Sequence, residues 1–261
     1  MTRRQLQVQP QYQNGEDWLR LAEAYQLHFE CLEFSMPMFL ADQELSEKAK
    51  EWYADSGRVT SVHGCFIDVN PASGDAEFQS LSMKRCRESC ELAKQLEAKR
   101  IIFHSSAFPF LRGAYLEAWA ENCAKFFLQL AEEYGLTIYI ENSFDINPTP
   151  IRMLMEKIHD PRVRVCLDIG HANYSQALLE QWFEELGAYI GYLHISDNHG
   201  QYDDHLPMGE GTVDWKLADE LYRRLGRSLP ITLEVGGIEG VRKSLQYMEE
   251  NGLFKEISWD E

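Results

Sequence analysis

Short apolar runs rich in Val, Ile, Leu and Phe alternate with amphipathic stretches along the whole chain. The runs predict strands over Leu6–Pro10, His28–Phe34, Val59–Phe66, Arg100–Ser106, Thr137–Ser143, Val163–His171, Gly191–Asn198 and Pro230–Gly236. Their nearly continuous apolar character fits strands covered on both faces, as in a parallel sheet. A helical pattern follows each, at Glu16–Gln26, Ser46–Ser56, Ala76–Ala98, Leu111–Tyr134, Thr149–Asp160, Gln176–Ala188, Asp214–Leu225 and Ile238–Asn251. The stretch from Leu111 keeps a 3.6-residue period, with apolar residues at 111, 115, 116, 119, 123, 126, 127, 130 and 134. Gly135, Gly226 and Gly252 stand where three of the helices should stop.

Eight strand–helix units in 261 residues give about 33 residues per unit, enough for right-handed βαβ crossovers. An open doubly wound sheet has the same alternation, but no Gly-rich phosphate fingerprint accompanies it here. The pattern therefore predicts a single (β/α)8 TIM barrel spanning residues 1–261, with no linker and no second domain. Composition agrees: 44% hydrophobic and 26% charged residues are a globular balance. The net charge of −17, from 25 Lys+Arg against 42 Asp+Glu, argues against a general binder of nucleic acid or anionic membrane. No charge-free stretch is longer than that from Ile101 to Leu111, far short of the roughly 20 residues of a membrane span. The first residues, Met1-Thr2-Arg3-Arg4, lead into Gln-rich rather than apolar sequence. The six cysteines lack metal or redox pair spacing, and Cys86 and Cys90 lie four apart in a helical stretch that calls for packing. Reduced thiols in the cytoplasm are the expectation.

In such a barrel the C-terminal strand ends converge on one mouth. Those positions hold His63 (VHGCF), His104 (IIFHSS), Glu141 (IYIENS), Asp168 and His171 (CLDIGH), His194 (YLHISD) and Glu234 (ITLEVG). The loop after strand seven adds Asp203 and His205 in DDHLPMGEG. Any one of them has an ordinary structural explanation. Four carboxylates and five imidazoles together do not, because like charges repel and buried charge must be paired. A divalent cation resolves the conflict, and a mixed His/carboxylate set suits Zn²⁺, Mn²⁺ or Fe²⁺ rather than Ca²⁺.

Through these residues the chain resembles the xylose-isomerase-like TIM-barrel superfamily (AP endonuclease family 2), over nearly its whole length. That group includes sugar isomerases and epimerases, inosose dehydratases and endonuclease IV, a zinc nuclease for abasic DNA. The resemblance implies that Glu141, Asp168, His194 and Glu234 hold one metal, as in epimerases. Asp168-x-x-His171 is common to both branches, and His63, His104, Asp203 and His205 match the further ligands of the three-zinc cluster of endonuclease IV, so His171 is a metal candidate as well. One to three ions of Zn²⁺ or Mn²⁺ are thus expected.

Two mechanisms follow. In the isomerase or epimerase reading, a metal-stabilised enediolate forms on a small keto sugar, polyol-derived or keto-acid substrate. Glu141 and Glu234 then serve as the acid/base pair and His171 orients a hydroxyl. The alternative is an endonuclease IV-like multinuclear zinc phosphodiesterase acting on abasic DNA or another phosphodiester. Ligand count favours the second; the loops favour the first. Lys and Arg are nearly absent from the βα loops, Arg112 being the clear exception, whereas a DNA-gripping protein brings several cations to phosphates. SMPMFLADQELSEK, after strand two, also lacks the basic, glycine-containing loop of endonuclease IV members, and HGCFIDVNPASGD departs likewise. A non-catalytic metal-dependent binding barrel is a third class, opposed by the intact glutamate pair.

The expected partner is therefore a carbohydrate-like small molecule rather than nucleic acid or membrane; a homo-oligomer stays open. Phe66 and Phe108, after the strands bearing His63 and His104, and Arg112 are the candidate substrate-binding residues, with Phe110, Phe144, Tyr174, Tyr202 and Trp215 as further loop aromatics that could wall a sugar. Glu33 at the end of strand two calls for a structural hydrogen bond, Asp197 for a partner fixing an imidazole, and the glycines at 209 and 211 for backbone geometry.

Overall fold

Eight parallel strands close on themselves in chain order: β1 Leu6–Val8, β2 His28–Leu32, β3 Val59–His63, β4 Arg100–His104, β5 Thr137–Glu141, β6 Val163–Asp168, β7 Ile190–Ile195 and β8 Ile231–Leu233. The computed structural model describes residues 6–32 and 42–255. Closure comes from β1 pairing with β8, Leu6 opposite Ile231 and Val8 opposite Leu233. The helices between them are α1 Gly15–Tyr25, α2 Gln43–Ser56, α3 Ala76–Gln95, α4 Ala114–Tyr134, α5 Thr149–Lys157, α6 Ile169–Tyr174, α7 Leu179–Leu186, α8 Trp215–Arg224 and α9 Gly237–Asn251. The architecture is the predicted (β/α)8 barrel. Among the described residues no helix is long and apolar enough to cross a membrane.

Local chemistry sets the helix boundaries. Asp42, Asp75, Asp168 and Asp214 each accept the backbone N–H three residues on, at 3.0, 2.9, 2.6 and 3.0 Å, and so cap α2, α3, α6 and α8. Gly135, Gly226 and Gly252 all have positive φ at the helix ends, as expected. The aspartate cap also corrects one strand: β6 ends at Asp168, and α6 begins at the next residue. His171 therefore sits in a helical turn rather than in a strand. Glu33 falls outside the described residues.

Strand periodicity then builds the interior in tiers. Gln7, Glu30, Ser61, Tyr192 and Thr232 meet inside the barrel through hydrogen bonds among their side chains, beside an apolar patch of Ile102, Tyr139, Cys166 and Tyr192. Side chains two residues apart share a face. The next inward positions toward the strand ends are accordingly Gln9, Leu32, His63, His104, Glu141, Asp168, His194 and Glu234. The main apolar core, including Phe29, Ile101, Phe127, Leu167 and Leu193, fills the space between strands and helices.

Candidate metal centre and cavity

Glu141 (β5), Asp168 (β6), His194 (β7) and Glu234 (just past β8) each offer a ligand atom, all within 4.8 Å of one another. All four are buried. Nδ1 of His194 lies 3.3 Å from Oε1 of Glu141 and 3.2 Å from Oε1 of Glu234. Bonds of roughly 2.1 Å to a tetrahedral ion place donors about 3.4 Å apart, so the spacing fits. Both oxygens of Glu141, Oδ2 of Asp168 and both ring nitrogens of His194 are buried without an aligned hydrogen-bond partner. A bound cation would satisfy those of Glu141 and Asp168 and Nδ1 of His194, while Nε2 of His194 faces Glu30.

The framework around them is fixed. Asn142 donates to the Asp168 carbonyl at 2.9 Å and accepts the Asp168 N–H at 2.8 Å, tying the ends of β5 and β6 together. With Oδ1 of Asp168 accepting from His171 N, Oδ2 is left for the centre. Burial works to raise the Glu141 carboxyl, but the imidazoles of His194 and His104 hold it well below the usual carboxylate range. Burial pushes Asp168 up to about 7, against the pull of His171 and with the charges of Glu141 and Glu234 adding.

The five further residues line the wall above this centre. His63 Nδ1 donates to the Gly64 carbonyl (3.0 Å), His171 Nδ1 to the Asn142 carbonyl (2.6 Å) and His205 Nδ1 to the Glu234 carbonyl (2.7 Å). In each case Nε2 turns toward a carboxylate: Glu141 for His63 at 3.3 Å, and Asp203 for His171 and His205 at 3.2 and 2.9 Å. His63, His104 and Glu141 form a second group with ligand atoms within 4.8 Å of one another. Burial opposes protonation of His63, yet the Glu141 carboxylate lifts it to about 9. His205 also reaches about 9, burial being outweighed by Asp203. His104, desolvated and next to other imidazoles, falls to about 3.

A cavity of about 460 Å³ opens over these groups, lined by Gln9, His63, Phe66, Asp68, His104, Glu141, Phe144, His171, Tyr174, Asp203, His205 and Glu234 among others. No Lys or Arg is among its described lining residues. Phe66, Phe144 and Tyr174 supply its aromatic wall. Phe108 and Arg112 do not line it: both lie exposed in the loop after β4. Tyr202 and Phe110 are also exposed, and Trp215 is buried with its indole N–H donating to Asp197 at 2.9 Å. Asp197 corrects an expectation. It orients no imidazole; its carboxylate accepts from Asn198 N, Gly209 N, Val213 N and Trp215 Nε1, holding the loop after β7. Gly209, at φ +84, and Gly211, whose Cβ would strike Asp197, serve that packing.

Two site residues escaped the strand-end search. Glu30 sits one tier below, fully buried, with Oε1 3.1 Å from His194 Nε2. Burial would raise its carboxyl, but His194 draws it down to about 2. Gln9 donates through Nε2 to both Glu30 and Glu234. The signal for Glu30 was a lone charge between Phe29 and Cys31 in an apolar strand.

The family model described as "Xylose isomerase-like TIM barrel" matches residues 21–251. An uncharacterized protein of Methanocaldococcus jannaschii, MJ1311, is 28% identical over 200 residues, covering 72% of this chain and 68% of its own. The TTHB071 protein of Thermus thermophilus, solved after soaking with ZnCl2, superposes with a TM-score of 0.76 at 22% identity, over 94% of this chain and 97% of that one. The 3-keto-D-glucoside 4-epimerase YcjR of E. coli gives 0.69 at 18% identity, over 94% and 99%. D-psicose and L-ribulose 3-epimerases and a zinc-bound IolI protein share the fold as well.

Proposed function

The chain belongs to the xylose isomerase-like TIM-barrel family, and from that premise we propose that it is a divalent-metal-dependent enzyme of the sugar isomerase and epimerase kind. Glu141, Asp168, His194 and Glu234 would hold the ion, Zn²⁺ or Mn²⁺ by the chemistry of the set. When bound, the ion supplies polarisation of a substrate carbonyl and its neighbouring hydroxyl. The mutually close donor atoms of these four residues, orphaned in Glu141, Asp168 and His194, carry the reading.

Glu141 and Glu234 approach from different sides of the barrel, so a substrate between them meets a carboxylate on each side. One takes the proton from the carbon next to the carbonyl and the other returns it; return to the opposite face inverts that carbon. His171 and His205 orient hydroxyls at the cavity wall. Phe66, Phe144 and Tyr174 offer ring faces to the apolar side of a sugar. The lining holds Asp68, Glu141, Asp203 and Glu234 but no described Lys or Arg. The lack of a permanent cation fits an uncharged substrate, an unphosphorylated keto sugar or polyol-derived compound, better than an anionic one. The sugar epimerases that share the fold support the class. Buried cysteines outside any disulfide accord with a cytoplasmic setting.

The second group at His63, His104 and Glu141, with Asp203 between His171 and His205, favours the hydrolytic alternative. One experiment separates them. Mn²⁺-loaded and Zn²⁺-loaded protein are incubated in D2O with unphosphorylated ketoses, and in parallel with abasic-site duplex DNA. Deuterium beside the carbonyl and a new diastereomer, seen by NMR, are expected. Strand cleavage without exchange on any sugar would overturn the isomerase reading.

A further inference from the structure

We propose that Glu30 is a positioning residue that fixes His194 with Nδ1 toward the metal ligands, an inference that rests on the metal centre proposed above. The Glu30 carboxylate is fully buried at the middle of β2. The hydroxyls of Ser61, Tyr192 and Thr232 lie 2.9, 2.8 and 3.1 Å from its Oε2. Gln9 Nε2 donates to its Oε1 at 3.0 Å. Donors from β1's end, β3, β7 and β8 thus hold one acceptor in place.

Oε1 of this anchored carboxylate stands 3.1 Å from Nε2 of His194. An acceptor-only group next to a ring nitrogen favours the proton on that nitrogen. Nδ1, facing Glu141 and Glu234 at 3.3 and 3.2 Å, is then the nitrogen that would give up its proton to a metal and offer its lone pair. The other site imidazoles with a fixed Nδ1, His63, His171 and His205, lean on loop or strand-end carbonyls and turn Nε2 toward Glu141 or Asp203. His194 is reversed and lies deeper, where sheet carbonyls are engaged in the ladder. A side chain must stand behind that nitrogen, and Glu30 does, 3.1 Å away in charge contact rather than in an aligned hydrogen bond. A carboxylate behind a ligating imidazole orients the ring and raises its basicity. Gln9 extends the effect, since its amide also donates to Glu234.

The test titrates metal-free protein with Mn²⁺ and with Zn²⁺ by calorimetry, comparing wild type, Glu30→Gln and His194→Ala. It also follows the His194 Nε2–H resonance of the Zn²⁺-loaded protein by ¹H–¹⁵N NMR. Glu30→Gln is expected to weaken metal binding about 10- to 100-fold and to shift or abolish that resonance, with the far-UV spectrum unchanged. If His194→Ala abolishes binding while Glu30→Gln changes neither affinity nor resonance, the positioning role alone is overturned. If His194→Ala binds as wild type does, the metal centre itself is overturned and this role with it. Should Glu30→Gln fail to fold, Thr232→Val removes one donor to the carboxylate and must still lower affinity and move the resonance; no change in either overturns the proposal.

Discussion

The two mouths of the barrel use buried charge in opposite ways. At the strand-entry mouth, arginines point at backbone carbonyls. Arg58 donates to Leu27 O at 3.2 Å, Arg164 to Ala188 O and Ile190 O at 3.3 and 3.1 Å, and Arg227 to Gly187 O and Ile190 O at 2.5 and 2.7 Å. Leu27, Gly187 and Ala188 follow the ends of α1 and α7, where carbonyls lack intrahelical partners and the helix dipole is negative. At the strand-exit mouth, carboxylates and imidazoles face one another, and several of their atoms have no aligned partner. Where backbone takes most of a charge's hydrogen bonds, as at Arg227 with only Nε left over, the charge serves the fold. Where side chains leave one another incomplete, the set is available to a ligand.

The widest separation of the two roles comes from one substitution at each mouth. Glu141→Gln should reduce kcat/KM on the true substrate by about 10²–10⁴-fold, the range for losing a positioned acid or base. It should also erase the stabilisation by metal, which for wild type at 100 times Kd is about 2.7 kcal/mol. Melting with and without Mn²⁺ measures this. Arg227→Ala should do the reverse, costing about 1.5–3 kcal/mol in urea unfolding through lost charged hydrogen bonds, with Mn²⁺ affinity unchanged. Were both variants to move both readouts, the division between the mouths would fail.

A pH series in chelator sharpens the contrast. His63 and His205 have folded pKa values of about 9 against an ordinary 6.5, burial being outweighed by Glu141 and Asp203 respectively. A raised histidine binds protons more tightly when folded, so its stabilisation is complete below 6.5 and lost as pH rises through about 9. Metal-free protein should therefore lose unfolding free energy across that window. Metal binding displaces protons from its ligands, so Mn²⁺ affinity should instead rise with pH. The arginines of the other mouth stay charged throughout and contribute no slope. A flat profile in chelator would contradict the protonated histidines.

Much of this was legible in the sequence for a geometric reason. Apolar runs located the strands, and the two-residue alternation of a strand places its last inward residue at the mouth. His63, His104, Glu141, His194 and Glu234 could be read that way. Asp168 and His171 were placed on one long strand, although an Asp three residues before the N–H it accepts from is a helix cap. Glu30 lay one tier too deep for a search of strand ends. The role of Asp197 is hidden in the sequence because the groups it holds are as far as 18 positions along the chain at Trp215, and only the folded loop brings them back. Loop aromatics were the least legible, since composition does not tell a side chain leaning over the cavity from one pointing away.

That last difference carries the smallest predicted effect. Phe66 lines the cavity with its ring 5.2 Å from those of both His63 and His104. Ring contacts of this kind are worth about 0.5–1.5 kcal/mol, so Phe66→Ala should raise KM about two- to tenfold while leaving kcat nearly intact. Arg112 is exposed outside the lining, and Arg112→Ala should change kcat/KM less than about twofold, within the scatter of surface substitutions. An uncharged substrate has no use for that cation. A large KM increase in Arg112→Ala would mean that the substrate carries a negative group, and that it reaches beyond a described lining that holds no Lys or Arg.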